Sequence, residues 1–304
     1  MVKNIYSPIT WRKPQHLSKK VNRILSTEGI TFIIIAYNSE KTISACINSV
    51  LNQNVQIEEI IVVDDGSTDS TSEISRNLNC TVLTNDSNEG RGYSRNLGVK
   101  SATTEMLVFC DSTNVMPDDF VKQALNYFSD KNTAAVFGNI KNSTHLKDPI
   151  SRWRGRHLFR EHMIPTKPSC VESRDLITYA TVMKKSAILK VGNFNPDLYK
   201  CEDIELGQKL LNHGFKILSD PSLCIFSHRK ENMISLCTRY NRWFSNHNEK
   251  SLNYFGSFWS TLKACYRIYF WKDLEQKDFS ASAISLFFPF CFIVIKVLVP
   301  HQFQ

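Results

Sequence analysis

The sequence predicts an α/β fold in which a largely parallel sheet is covered by helices on both faces. Short apolar, β-branched runs recur between residues 30 and 140, and a stretch with helical spacing separates each run from the next. Acidic residues stand where several of those runs end. Strands that are apolar throughout belong to sheets buried on both faces, and alternation with helices is how parallel neighbours are connected.

Ile30–Ala36 reads as the first strand, and Ser39–Gln53 as a helix with Ile43, Ile47, Val50 and Leu51 on one stripe. Ile60–Val63 is a second strand, Thr68–Leu78 a helix and Thr81–Thr84 a short strand. A helix around Tyr93–Ala102 precedes a strand at Met106–Cys110. Pro117 suits the first position of a helix running to Phe128, and Ala134–Ile140 closes the series. Residues 141–178 read as irregular and basic, with Arg152, Arg154, Arg156 and Arg160 among Trp153, His157 and His162. A strand, a helix near Glu202–Asn212 and a strand near Ser222–Ser227 follow.

The chain has 304 residues, 37 basic against 29 acidic, and a formal charge of +8. The excess sits at the two ends: residues 1–28 hold six basic side chains and one acid, residues 231–304 eight and five, and the part between holds 23 of each. A nucleic-acid binder carries its basic patch on the folded body; basic ends instead suit an anionic membrane surface, or are solvated tails. Nine scattered cysteines without a C-x-x-C pair point to a reducing compartment. Residues 1–28 contain no apolar stretch of the kind a signal peptide needs.

Ten aromatic residues lie between Trp243 and Trp271, and from Phe279 to Val299 the only charge is Lys296. That run is long enough to cross a bilayer, and the upstream aromatics suit an interfacial belt. Pro289 and the abundance of Phe make it an imperfect span and suit a re-entrant or in-plane helix, or one packed on the protein itself. The expected organisation is a basic extension at 1–28, a main domain at 29–230, an aromatic, basic helical segment at 231–278 and a membrane-associated or spanning helix at 279–300.

Asp64 and Asp65 follow the second strand and Asp111 the strand at Met106–Cys110, the edge where ligands of such sheets bind. Carboxylates there accept hydrogen bonds from a nucleoside or hold a cation, although Asp is also ordinary turn and cap chemistry. Glu202–Asp203 opens a helix, where the dipole favours an ionised carboxylate able to act as a base.

Taken in order, these elements resemble the family-2 glycosyltransferases. They are Ile35-Ala36-Tyr37-Asn38, Val62-Val63-Asp64-Asp65-Gly66-Ser67-Thr68-Asp69, Asn88-Glu89-Gly90 with Arg95-Asn96-Leu97-Gly98, Phe109-Cys110-Asp111-Ser112, Gly192-Asn193-Phe194 with Glu202-Asp203-Ile204-Glu205-Leu206, and His228. The resemblance runs from about Thr31 to His228. It implies a GT-A type, Rossmann-like, mostly parallel sheet with a C-terminal amphipathic and hydrophobic helical extension. It also implies inverting transfer of a sugar from a nucleotide-diphosphate donor, a UDP-sugar first, to a glycan or lipid-linked hydroxyl at the cytoplasmic face of a membrane.

On the same resemblance Asp203 is the catalytic base and Glu202 its neighbour in the reaction. Ala36, Tyr37, Asn38, Asp64, Asp65, Arg95, Asp111 and Ser112 hold the nucleotide, and Asp111 with His228 a Mn2+ or Mg2+ ion. Two departures stand out. The D-x-D motif reads Asp111-Ser112-Thr113, which leaves the metal weakly bound or its work to arginines; and Tyr179-Ala180-Thr181 replaces a Gly-Ala-Asn-like acceptor stretch. A catalytically degenerate nucleotide-sugar-binding module at a membrane is the alternative that Thr113 favours. A nucleotidyltransferase would want an early Gly-rich phosphate loop, which the turn after Ala36 lacks. Arg239-Tyr240-Asn241-Arg242-Trp243 resembles the Q-x-x-R-W motif of processive synthases with Arg for Gln, and equally a basic amphipathic helix. With at most one span, processivity is not expected.

Overall fold

A computed structural model describes residues 29–198, 201–244 and 254–298. The basic extension at 1–28 and the last positions of the apolar run lie outside the described residues. The described residues divide into two compact units, one within 29–140 and 164–227, the other within 141–163 and 228–298.

The first unit is built on a mixed sheet. Its strands are β1 (Ile30–Ala36), β2 (Ile57–Asp64), β3 (Thr81–Thr84), β4 (Met106–Asp111), β5 (Asn114–Val115), β6 (Thr133–Asn142), β7 (Val171–Glu172), β8 (Ala180–Lys184) and β9 (Lys216–Ser227). They lie in the order β3-β2-β1-β4-β8-β6-β9-β5, with β7 on β9. The helices are α1 (Ile43–Leu51), α2 (Thr71–Asn77), α3 (Arg91–Ser101), α4 (Phe120–Leu125), α6 (Lys185–Lys190) and α7 (Glu202–Asn212), with α5 (Pro149–His157) in the second unit.

Strands β3, β2, β1 and β4 run parallel, as the alternating pattern predicts; β4 with β8, β8 with β6 and β9 with β5 pair antiparallel. Phe32, Ile33 and Ile34 of β1 are all buried, the mark of a strand covered on both faces. One core joins Ile33, Ile61, Leu107 and Phe109 of the sheet to Val99 of α3 and Leu206 and Leu210 of α7.

Several expected boundaries move. The first helix starts at Ile43 rather than Ser39, because the Ser39 carbonyl accepts from Thr42 N and Ile43 N in a turn. The last strand starts at Lys216 rather than Ser222; Asp220 and Pro221 sit inside it and hide its length from a pattern reading. The stretch 141–178, read as irregular, holds α5. Asp148 caps it, accepting from Ser151 N at 3.0 Å, and Pro149 is its first residue. Of its basic residues, Arg154 and His157 are buried, each against an acidic partner.

In the second unit, α8 (Met233–Phe244), α9 (Tyr254–Ala264), a π-helical turn at Cys265–Tyr269, α10 (Phe270–Glu275) and α11 (Phe279–Leu298) accompany α5. Trp153, Tyr240, Phe288 and Phe292 form its aromatic centre, with Trp153 stacked on Phe288 at 4.7 Å. Buried ionic groups lie beside it. Glu231 joins Arg154 at 3.2 Å and Arg239 at 2.6 Å. Asp273 accepts from Arg156 and from Ser285 Oγ at 2.6 Å, and lies 2.8 Å from His157 Nε2. Burial lowers the His157 pKa against the opposing pull of Asp273.

Candidate active site

The site in the first unit forms where the parallel strands end. The pairing register sets Ala36 beside Asp64, and Ile35 beside Asp111, so three strand ends present their residues at one edge. This is the edge at which sheets of this class bind ligands.

Two of the site's carboxylates are occupied by donors of the neighbouring turns and helix starts. Asp64 accepts from Ser67 N at 3.0 Å and from Ser72 Oγ, and so fixes the start of α2. Asp65 accepts from Asn85 Nδ2 at 2.7 Å, Glu89 N at 2.9 Å and Gly90 N at 3.0 Å, clamping the loop that leads into α3. Gly66 has φ +76°, and a Cβ there would meet the Ser87 backbone at 2.6 Å. The turns after β1 and β2 interlock: Asn38 N donates to Ser67 Oγ at 2.8 Å, and Asn38 Oδ1 accepts from Thr68 N at 2.9 Å. Ala36 is buried and its carbonyl accepts from Asp65 N, whereas Tyr37 is exposed. Ser112 is buried, its hydroxyl 2.7 Å from that of Ser39.

The other pair is joined through Arg95, buried on α3. Its Nη2 reaches Asp111 Oδ1 at 3.2 Å and its Nη1 the Glu202 carboxylate. One guanidinium thus ties the end of β4 to the start of α7, where Asp203 follows. Asp203 is partly exposed and Oδ2 accepts from Thr178 Oγ1 at 3.4 Å. Burial raises the Glu202 pKa; Arg95 opposes the shift and Asp203 adds to it. Asn96, next to Arg95, donates to Phe194 O at 2.6 Å, and Asn193 donates to Asn96 O, so Gly192-Asn193-Phe194 is fastened to α3.

Arg91 was not among the sequence-predicted residues. It opens α3 one turn before Arg95, and a spacing of four puts the two on one helix face, which is the signal the sequence offered. Burial works against its charge, but Asp111, Glu202, Asp203 and Asp65 outweigh that and hold its pKa above the ordinary arginine value. No hydrogen bond or ion pair within contact distance occupies it among the described residues. Its place is fixed from both sides. Gly90 is held by Asp65, and a Cβ on Gly92 would strike the Asn195 carbonyl oxygen and approach that of Leu198 to 2.6 Å.

His228 belongs to the second unit, its ring edge-on to His145 at 4.9 Å; burial and the His145 charge lower its pKa. Trp243, of the R-Y-N-R-W segment, packs on Phe159 at 5.7 Å, and Arg239 is engaged by Glu231.

A family model described as glycosyl transferase family 2 matches residues 31–191, just over half of the chain. The chain belongs to that family. Its relatives include the poly-beta-1,6-N-acetyl-D-glucosamine synthase of Staphylococcus aureus strain COL, 27% identical over 279 residues, covering 86% of this chain and 65% of the relative. The enzyme of the same name from Staphylococcus epidermidis is 28% identical over 260 residues, 81% of this chain and 62% of that one. The chain therefore spans just under two thirds of the length of these family-2 relatives.

Solved structures share the fold. The mannosyltransferase PcManGT from Pyrobaculum calidifontis, in complex with GDP-Man and Mn2+, superposes with a TM-score of 0.53 at 16% identity, covering 92% of this chain and 81% of its own. Staphylococcus aureus TarS 1-349 gives 0.53 at 18% identity, with 90% and 91% covered.

The side chains of this family-2 site do not fit a divalent cation well. Hard dications want several carboxylate or carbonyl oxygens. Asp111 offers one carboxylate, which already accepts from Arg95; the Ser112 hydroxyl is engaged with Ser39, and Thr113 brings a hydroxyl where a second Asp would stand. Among the described residues no three His, Cys, Asp or Glu side chains converge.

Proposed function

We propose that this family-2 glycosyltransferase carries out inverting transfer of a sugar from a nucleotide-diphosphate donor, a UDP-sugar first, to a hydroxyl of a glycan or lipid-linked acceptor. The observation that carries the reading is the Asp111–Arg95–Glu202 bridge, which fastens the strand end where a donor would bind to the helix start that bears Asp203. Asp203 takes the proton from the acceptor hydroxyl as its oxygen attacks the anomeric carbon, with Thr178 steadying the carboxylate. Positioned bases contribute about 10²–10⁴-fold in rate. Glu202, Arg95 and Asp111 hold the frame; Tyr37 and Asn38 at the exposed turn line the nucleotide side. Arg91 meets the departing diphosphate, where positive charge placed in advance favours the charge that develops.

The basic ends and the apolar helix α11 support association with a membrane surface, with the first unit as the catalytic part and the second unit, which takes residues 141–163 out of the expected 29–230 domain, as the membrane-facing part. Basic ends around a charge-balanced body give no support to nucleic-acid binding.

The test pairs binding with turnover. UDP, GDP, dTDP and CMP are titrated against the melting temperature with and without Mn2+, and one of them, UDP by this reading, raises it. Saturation at 100 times Kd adds about 2.7 kcal/mol. The shift is expected without added cation, because by this reading Arg91 rather than a metal held by a carboxylate pair meets the phosphates. Asp203→Asn keeps that shift and loses turnover by at least about a hundredfold; near-normal turnover removes Asp203 from the mechanism. Thr113 favours a second reading, a sugar-nucleotide binder without catalysis: wild-type chain that binds nucleotide yet transfers nothing to glycan or lipid acceptors decides for it.

A further inference from the structure

We infer that α11 lies in the plane of a membrane interface, one face on the second unit and the other in the acyl boundary of an anionic lipid surface, and does not cross the bilayer. The inference deepens the membrane association proposed above and depends on it.

The helix is long and apolar enough to cross a membrane, and just under half of it is buried within the protein. The division falls along its axis. Ala281, Ser282, Ser285, Phe288, Pro289, Phe292 and Lys296 are buried, a spacing of three, four and seven that runs down one face. Phe279, Phe287, Phe290, Val294, Val297 and Leu298 are exposed, Phe279 and Leu298 by more than 70%, and follow the same period on the other face. Twenty residues of helix make that stripe about 30 Å long. Exposed apolar surface of that extent marks an interaction site.

The buried face is committed to charged company. Trp153 Nε1 donates to Ser285 Oγ at 2.8 Å, which donates to Asp273, which in turn takes Arg156 and His157. At the helix start, Arg152 reaches Asp278 at 2.8 Å and Ser280 Oγ at 2.6 Å. A helix that crossed the bilayer would either carry Asp273 and the arginines of α5 to membrane depth or abandon those bonds. Either is costly in a medium without water. An in-plane helix keeps every bond and wets only its outer face.

The neighbouring segment has the chemistry of an interface. Trp259, Tyr266 and Trp271 are exposed on α9, the π-helical turn and α10. Lys263, Arg267 and Lys277 are exposed among them against the exposed acid Glu275, since Asp273 and Asp278 are internally paired. Amphipathic aromatics settle at headgroup depth, and surplus cations attract anionic lipid.

The test uses the purified full chain in flotation with preformed vesicles, of phosphatidylcholine alone and with about a third phosphatidylglycerol. Binding to the anionic vesicles is expected, and the triple variant Phe287→Asp, Phe290→Asp, Val294→Asp should lower it at least tenfold while keeping the nucleotide-induced thermal shift. The milder Phe287→Ala, Val294→Ala pair serves if the triple variant does not fold, with a smaller loss in the same direction. In sealed cell membranes, epitopes before Met1 and after Gln304 should both be cleavable from the same side. Epitopes on opposite sides overturn the in-plane inference and leave membrane association standing. Binding unmoved by the variants overturns it as well. Wild-type chain that floats with no vesicle, or that buries the stripe as a concentration-dependent dimer instead, overturns both membrane readings while glycosyl transfer stands on its own assay.

Discussion

At the scale of single residues, carboxylates with the same sequence pattern do different things because of what donates to them. Asp64 and Asp65 were legible as strand-end acids, but only the folded chain shows them accepting from Ser67, Ser72, Asn85, Glu89 and Gly90. Those bonds make them the frame of the turns that follow β2 and β3. Arg95 was legible by its motif, yet it is spent on Asp111 and Glu202, while Arg91, which no motif marked, stands among four acids without such a bond. Removing a charged donor from a diphosphate costs about 1.5–3 kcal/mol, so Arg91→Ala should weaken UDP binding by about ten- to a hundredfold. Uridine binding should hardly change, and calorimetric titration of both ligands checks the difference. Gly92→Ala puts a methyl group against the Asn195 and Leu198 carbonyls. Overpacking of that kind costs about 1–3 kcal/mol, read as a lower urea midpoint.

Among the secondary-structure elements, the repeated strand–helix units near the N-terminal side were legible because each strand is apolar along its whole length. Helix α5 was not, because its buried face is made of Arg154, His157 and Trp153. A basic residue looks like surface until its acid is found, and Glu231 and Asp273 lie far along the chain. The joint of α5 with α11 also has a pH signature. Hydrogen bonding from Arg152 first, then from Ala281 N, Ser280 and Arg156, outweighs burial and holds the Asp278 carboxyl well below its ordinary range. A group lowered in this way stabilises the folded state above its unfolded pKa of about 4, and the benefit is lost as pH falls. Urea midpoints measured from about pH 5 downward should therefore fall more steeply for the wild type than for Asp278→Asn, which starts less stable and has no such carboxylate to protonate.

For the molecule as a whole, charge is the property composition exposes best. The positive excess lies outside the balanced middle, and residues 1–28 carry six basic side chains against one acid. Each basic residue near an anionic membrane contributes about 1 kcal/mol at low screening. Deleting residues 1–28 should thus flatten the salt dependence of vesicle binding and leave the nucleotide-induced thermal shift intact. Flotation between low and physiological salt reads the first and melting temperature the second; an unchanged salt slope would remove this segment from the membrane contact.

The α/β class and the family were readable from the chain alone, as was the run of acids at the carboxyl edge of the sheet. Those follow from local periodicity and from short motifs whose residues are neighbours in the chain. Tertiary structure alone decided that β8 joins β4 antiparallel, that Arg95 bridges Asp111 to Glu202, and that α11 has one face held by Trp153 and Asp273 and one face bare. Each of these depends on partners more than ten residues apart. A residue's burial, charge state and free valence are set by such partners, and no local pattern records them.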